Sequence, residues 1–85
     1  MTVGQIEFVV EHAGCDACAT RVRSALAGLV EVDEITVDET ADLAAVRGRA
    51  RDRVDRATVD AVLADASVGS GHTYRVRDGS WRVRG

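Results

Sequence analysis

Two thiols stand two residues apart in the segment EHAGCDACATRVRSAL, and Cys15 and Cys18 are both of the cysteines in this chain. Sulfur at that spacing does one of a few things: it closes a disulfide, exchanges electrons as a dithiol, or shares one soft cation as a pair of thiolates. The motif lies where an alternating, strand-like run gives way to a helical period. At a helix start the dipole and the free N–H groups favour the thiolate form. Two thiolates alone suit Cu(I), whereas Zn(II) prefers four ligands and needs more from nearby. Asp16 inside the motif and His12 three residues before it are further candidate ligands. A helix-start charge and a solvated loop histidine are the plainer readings of those two. His72, after Gly-Ser-Gly, is a separate candidate.

The elements that must position these groups follow from periodicity. Residues 3–10 alternate, with Ile6, Phe8 and Val10 on one face, as in a half-buried strand. From Asp16 the spacing predicts a helix whose apolar stripe is Cys18, Val22, Ala25, Leu26 and Leu29, with Gly28 near its end. Residues 31–38 alternate again, but the phase slips between Val32 and Ile35, which places the strand start near Glu34. ADLAAVRG is an alanine-rich strand, and RARDRVDRA a charged loop or helix extension. TVDAVLADA is a second helix, with Thr58 as its N-cap and Val59, Val62, Leu63 and Ala66 as its stripe. The tail HTYRVRDGSWRVRG reads as a hairpin around Asp78–Gly79, pairing Val76 with Trp81 and Tyr74 with Val83 and lining the other face with Arg75, Arg77, Arg82 and Arg84. The order β-α-β-β-α-β plus one strand is the α+β, ferredoxin-like arrangement.

Size and composition agree with one domain over residues 1–85. Apolar residues make up 46% of the chain, mostly Ala and Val, and there is no proline. The N-terminus lacks the pattern of a signal peptide, and no apolar run reaches the ~20 residues a membrane span needs. We therefore expect a soluble, cytoplasmic protein whose thiols stay reduced, with no direct membrane contact. The net charge of −3 conceals an acid-rich first half and two arginine-rich segments, 47–56 and 71–85.

Strand, loop, CDAC, helix and then ALAGLVEVDEITVD resemble the heavy-metal-associated domain of copper chaperones and of the cytoplasmic tails of metal-transporting P-type ATPases. The resemblance covers residues 5–38 well and 57–76 loosely. It implies that Cys15 and Cys18 are metal ligands, and that Leu26, Leu29, Val32, Ile35 and Val37 are scaffold. It also implies that the loop before the last strand lies beside the metal loop, which makes His72 a third ligand or a partner to one. The implied cargo is Cu(I) or another soft ion, with Zn(II) second. The implied partner is another metal-binding protein or a P-type ATPase. The family loop usually carries a methionine two residues before the first cysteine, tucked beneath it. Here Ala13 is too small for that, and Gly14 adds backbone freedom, so a mobile loop is expected.

Two rival readings remain at this stage. A small thiol–disulfide oxidoreductase shares the C-x-x-C at a helix start, but a chain without proline has no cis-proline to face the dithiol. An interaction module with vestigial thiols accounts for Ala13 and the arginines. Tyr74 and Trp81 are expected in the core, with Trp81 well buried near Tyr74 or Val76, which argues against nucleic-acid stacking. No serine–histidine–carboxylate set or phosphate loop is visible, so the expectation is a carrier of ions, not an enzyme. Arg21 and Arg23 are expected to point outward from the first helix, where acids of a partner would meet them.

Overall fold

A computed structural model describes residues 4–51 and 54–84. The elements are, in order, β1 (Gln5–Glu11), α1 (Asp16–Leu26), β2 (Val30–Asp38), β3 (Leu43–Ala50), α2 (Arg56–Ser67), β4 (Arg75–Val76) and β5 (Arg82–Arg84). The strands form one antiparallel sheet in the order β2-β3-β1-β4, with β5 also paired to β1. This is the α+β, ferredoxin-like arrangement. Both helices contribute to the single core that covers one sheet face.

The core is built from complementary sizes. Ile6, Phe8 and Val10 of β1 are each 2% exposed or less, and they stand opposite Gly48, Val46 and Ala44 of β3. Large side chains on one strand thus face small ones on the next. This explains how the alanine-rich segment holds a central strand despite alanine's weak β preference. Cys18, Val22 and Leu26 of α1 and Val59 and Leu63 of α2 close the core from above. On the outer face, Arg47 pairs with Glu34 at 3.1 Å and Arg49 with Glu31 at 2.9 Å. The separation of acids and arginines along the sequence is, across β2 and β3, a set of cross-strand ion pairs.

Three sequence expectations need correction. Strand β2 begins at Val30, not near Glu34: the slip of phase is a bulge, with Val32 paired to Gly48 and Glu34 to Arg47. The N-cap of α2 is Asp55, not Thr58. The Asp55 carboxylate accepts from both the backbone N–H and the hydroxyl of Thr58, each at 2.8 Å, and the helix starts three residues earlier than expected.

The third correction concerns the tail, which is not a hairpin. Strands β4 and β5 are both antiparallel to β1, so they run the same way and form one interrupted strand along its edge. β4 covers only Val10 and Glu11, and the open backbone groups of Gln5–Glu7 are then covered by β5. Across the break, the Arg77 N–H donates to the Val9 carbonyl at 2.8 Å, and the Val9 N–H donates to Ser80 Oγ at 3.1 Å. Gly79 supplies the positive φ of 79° that the loop requires. Arg56 grips the loop through the Asp78 carboxylate and the Val76 carbonyl. Trp81 accordingly stacks on Phe8, with ring centroids 5.3 Å apart, in place of Tyr74 or Val76. It is half-buried, less than expected. Arg75 pairs with Glu11 at 3.1 Å instead of joining a ladder across a hairpin.

Candidate metal centre

The chain leaves β1 through His12, whose φ of 63° turns it sharply, and Ala13 and Gly14 lead to Cys15. Cys15 is the N-cap of α1, with φ −136° and ψ 159°, and its Sγ accepts from the Cys18 N–H at 3.1 Å. The sulfur therefore does the work that a serine or aspartate oxygen does at other helix starts. Cys18 lies one turn in and is fully buried at the top of the core, whereas Cys15 is half-buried.

The two sulfurs are joined as a disulfide, with Cα atoms 5.0 Å apart, where the sequence reading expects free thiols. Helix geometry brings the pair within the span that a disulfide needs. Reduction by two electrons and two protons restores the thiols.

His72 closes the site from the far end of the sequence. The helix α2 ends at Ser67, and Gly69 and Gly71, with φ of 75° and 79°, reverse the chain toward β4. Ser70 Oγ accepts from the His72 N–H at 3.1 Å and donates to the Ser67 carbonyl at 2.8 Å. The imidazole stacks almost parallel on Tyr74, at 7° and 5.7 Å between centroids. The Tyr74 hydroxyl in turn accepts from Arg21 at 3.3 Å, so Arg21 is tied to the site, not simply directed outward.

The result is a group of three potential ligand atoms, from Cys15, Cys18 and His72, all within 4.8 Å of one another. Cys18 Sγ and His72 Nε2 are 3.7 Å apart. Two such ligands on one ion, at the ~2.3 Å and ~2.05 Å of metal–sulfur and metal–nitrogen bonds and a trigonal angle, would lie about 3.8 Å apart. The sulfur and nitrogen are thus already at chelating distance. Asp16 is exposed in the first turn of α1 and outside this group. His12 is also outside it and faces Asp42, Nδ1 to Oδ2 at 3.8 Å.

The expectation of a loose loop is not met. Ala13 is fully buried, and its N–H donates to the Asp42 carbonyl at 3.2 Å. The Gly14 N–H donates to Asp42 Oδ1 at 2.9 Å. A Cβ on Gly14 would stand 2.5 Å from Asp42 Cα and 2.9 Å from the Asp38 carbonyl oxygen, so glycine here permits close packing. Asp42 was missed by the sequence reading. Its signal is weak: an aspartate closing the turn DETAD, a residue type that tolerates its φ of 57°.

The family model of the heavy-metal-associated domain matches residues 7–67, which takes in most of β1, the C-x-x-C loop and both helices. A comparison with curated proteins finds no match.

Proposed function

The chain belongs to the heavy-metal-associated domain family, and from that premise we propose that it carries Cu(I) on Cys15, Cys18 and His72 and hands it to a partner protein. Membership of the family implies heavy-metal binding. The observation that carries the finer reading is the convergence of two sulfurs and one imidazole nitrogen within 4.8 Å. Two thiolates and one imidazole make a three-coordinate, soft donor set, which suits Cu(I) and leaves Zn(II) one ligand short of its preferred four.

Loading requires the reduced dithiol, with both thiol protons released as the sulfurs bind. Cys18 is buried and Cys15 half-exposed, so a partner thiolate approaches the ion from the Cys15 side. In our reading that thiolate adds to the ion as one of this chain's ligands leaves, and the process repeats until the ion has moved. The oxidation state of the ion does not change, and no covalent bond of the protein is made or broken. The domain acts in this scheme as a cytoplasmic carrier and not as an enzyme. Its partner is a second metal-binding protein or a P-type ATPase. Arg23 on α1 is exposed, and acids on a partner would meet it there.

The test is an anaerobic titration of the reduced protein with Cu(I) and Zn(II) against competing chelators, followed through thiolate charge-transfer absorption. One Cu(I) per chain should bind, and Cys15→Ser or Cys18→Ser should each abolish tight binding. A single-serine variant with wild-type affinity would show that the ion is not shared by the two sulfurs.

A further inference from the structure

We propose that Asp42 is a positioning residue for the metal site, clasping the C-x-x-C loop from the tip of the β2–β3 turn. The proposal rests on the metal-binding reading above, because the loop it holds is the one that presents Cys15.

Asp42 takes the last two backbone N–H groups before Cys15. Its carbonyl oxygen accepts from Ala13, and its carboxylate Oδ1 accepts from Gly14. Both of those residues are buried. Without the Asp42 carboxylate, the buried Gly14 amide would lose its acceptor, which is costly, while the backbone carbonyl at position 42 would still serve Ala13. The second carboxylate oxygen lies 3.8 Å from His12 Nδ1, so the side chain is engaged on both sides.

The turn is itself organised for this contact. Asp38 Oδ1 accepts from the Ala41 N–H at 3.1 Å and braces the turn. The positive φ of Asp42 then directs both its carbonyl and its carboxylate toward the loop. Gly14 packs so closely against Asp42 and Asp38 that even one methyl group has no space. Turn and loop are in backbone contact, and the entry to Cys15 is fixed by the β2–β3 turn. A loop whose buried plug is only an alanine is thereby held by hydrogen bonds from outside.

The experiment uses the full chain, reduced, with two substitutions. Asp42→Gly keeps the positive φ accessible but removes the carboxylate. Asp42→Asn keeps an oxygen acceptor of the same reach and removes the charge. Amide hydrogen exchange of Gly14 is read in the metal-free protein, with the Val46 amide in the central strand as an internal reference. Cu(I) affinity is read separately by chelator competition. Asp42 touches no proposed ligand directly, so Asp42→Gly should weaken Cu(I) binding by about 10-fold, the low end of the ~10–100-fold that loss of a ligand's own hydrogen-bond partner costs. The same variant should speed Gly14 exchange about 10-fold, as expected when a buried amide loses its acceptor, with Val46 unchanged. Asp42→Asn should restore both to within about threefold, on the ground that the hydrogen bond and not the charge holds the loop. Wild-type exchange of Gly14 in Asp42→Gly, or failure of Asp42→Asn to rescue, overturns the clasp. If wild-type protein binds no Cu(I) at its thiols, the functional reading fails, while Gly14 exchange still decides whether Asp42 holds the loop.

Discussion

Replacing His72 with phenylalanine separates the imidazole as a ligand from the imidazole as a packed ring. The ring stacks on Tyr74 at 5.7 Å, and phenylalanine can keep that contact, worth about 0.5–1.5 kcal/mol for aromatic pairs. Thermal stability should therefore change little, whereas His72→Ala should lose the stacking as well. The metal site should respond differently. Nε2 lies 3.7 Å from Cys18 Sγ, against the about 3.8 Å expected for two ligands of one trigonal ion, so once the disulfide is reduced and the sulfurs part, the imidazole is within reach of an ion on Cys18. Its loss should cost at least the ~10–100-fold in affinity that follows loss of an outer-shell partner. At 1.4 kcal/mol per tenfold, that is about 1.4–2.8 kcal/mol. Chelator competition under anaerobic conditions gives the affinity, and X-ray absorption should show the ligand set fall from two sulfurs and one nitrogen to two sulfurs. If His72→Phe binds Cu(I) as tightly as wild type and with unchanged coordination, His72 is a bystander and the agreement in distance is accidental.

Other perturbations test the scaffold. Gly14→Ala forces a Cβ to within 2.5 Å of Asp42 Cα, and it should destabilise the domain by about 1–3 kcal/mol in a urea melt. Leu63→Ala, at a fully buried position of α2, should cost about 2–5 kcal/mol by the same measurement. Hydrogen bonds from the Thr58 N–H and hydroxyl hold the Asp55 carboxyl below its ordinary value. That contribution is full above the unfolded-chain pKa of ~3.9 and fades as pH falls through the lower folded value. Asp55→Ala should thus lower the urea midpoint at neutral pH, and the gap to wild type should close in acid.

The scaffold was legible wherever local pattern and tertiary demand coincide. Ile6, Phe8 and Val10 alternate and are buried, and Cys18, Val22 and Leu26 lie on one helical stripe and are buried too. The errors arose where two local signals competed. Asp55 and Thr58 are both good caps, and only the structure shows that Asp55 takes the role while Thr58 donates to it. Asp78–Gly79 carries the residue signal of a two-residue hairpin turn. A turn signal states that the chain bends locally, not which strand it rejoins. Here the open edge of β1, and Arg56 reaching across from α2, return the chain to the strand it had left.

The site divides along the same line. Cys15 and Cys18 were readable because a C-x-x-C pair is a local pattern, positioned by one helix start. His72 is separated from Cys18 by 54 residues, and its candidacy came through the family fold. Asp42 is 28 residues from Gly14, and nothing in its own neighbourhood marks it. What joins them is the sheet. β1 carries the chain to His12, β3 departs from Asp42 beside it, and β4 follows His72 on the other side of β1. With β1 between its two neighbours, the loops at one end of the sheet are brought together by strand order alone. The two cysteines that the sequence places at one helix start therefore meet an imidazole and a bracing turn from segments far from them in sequence.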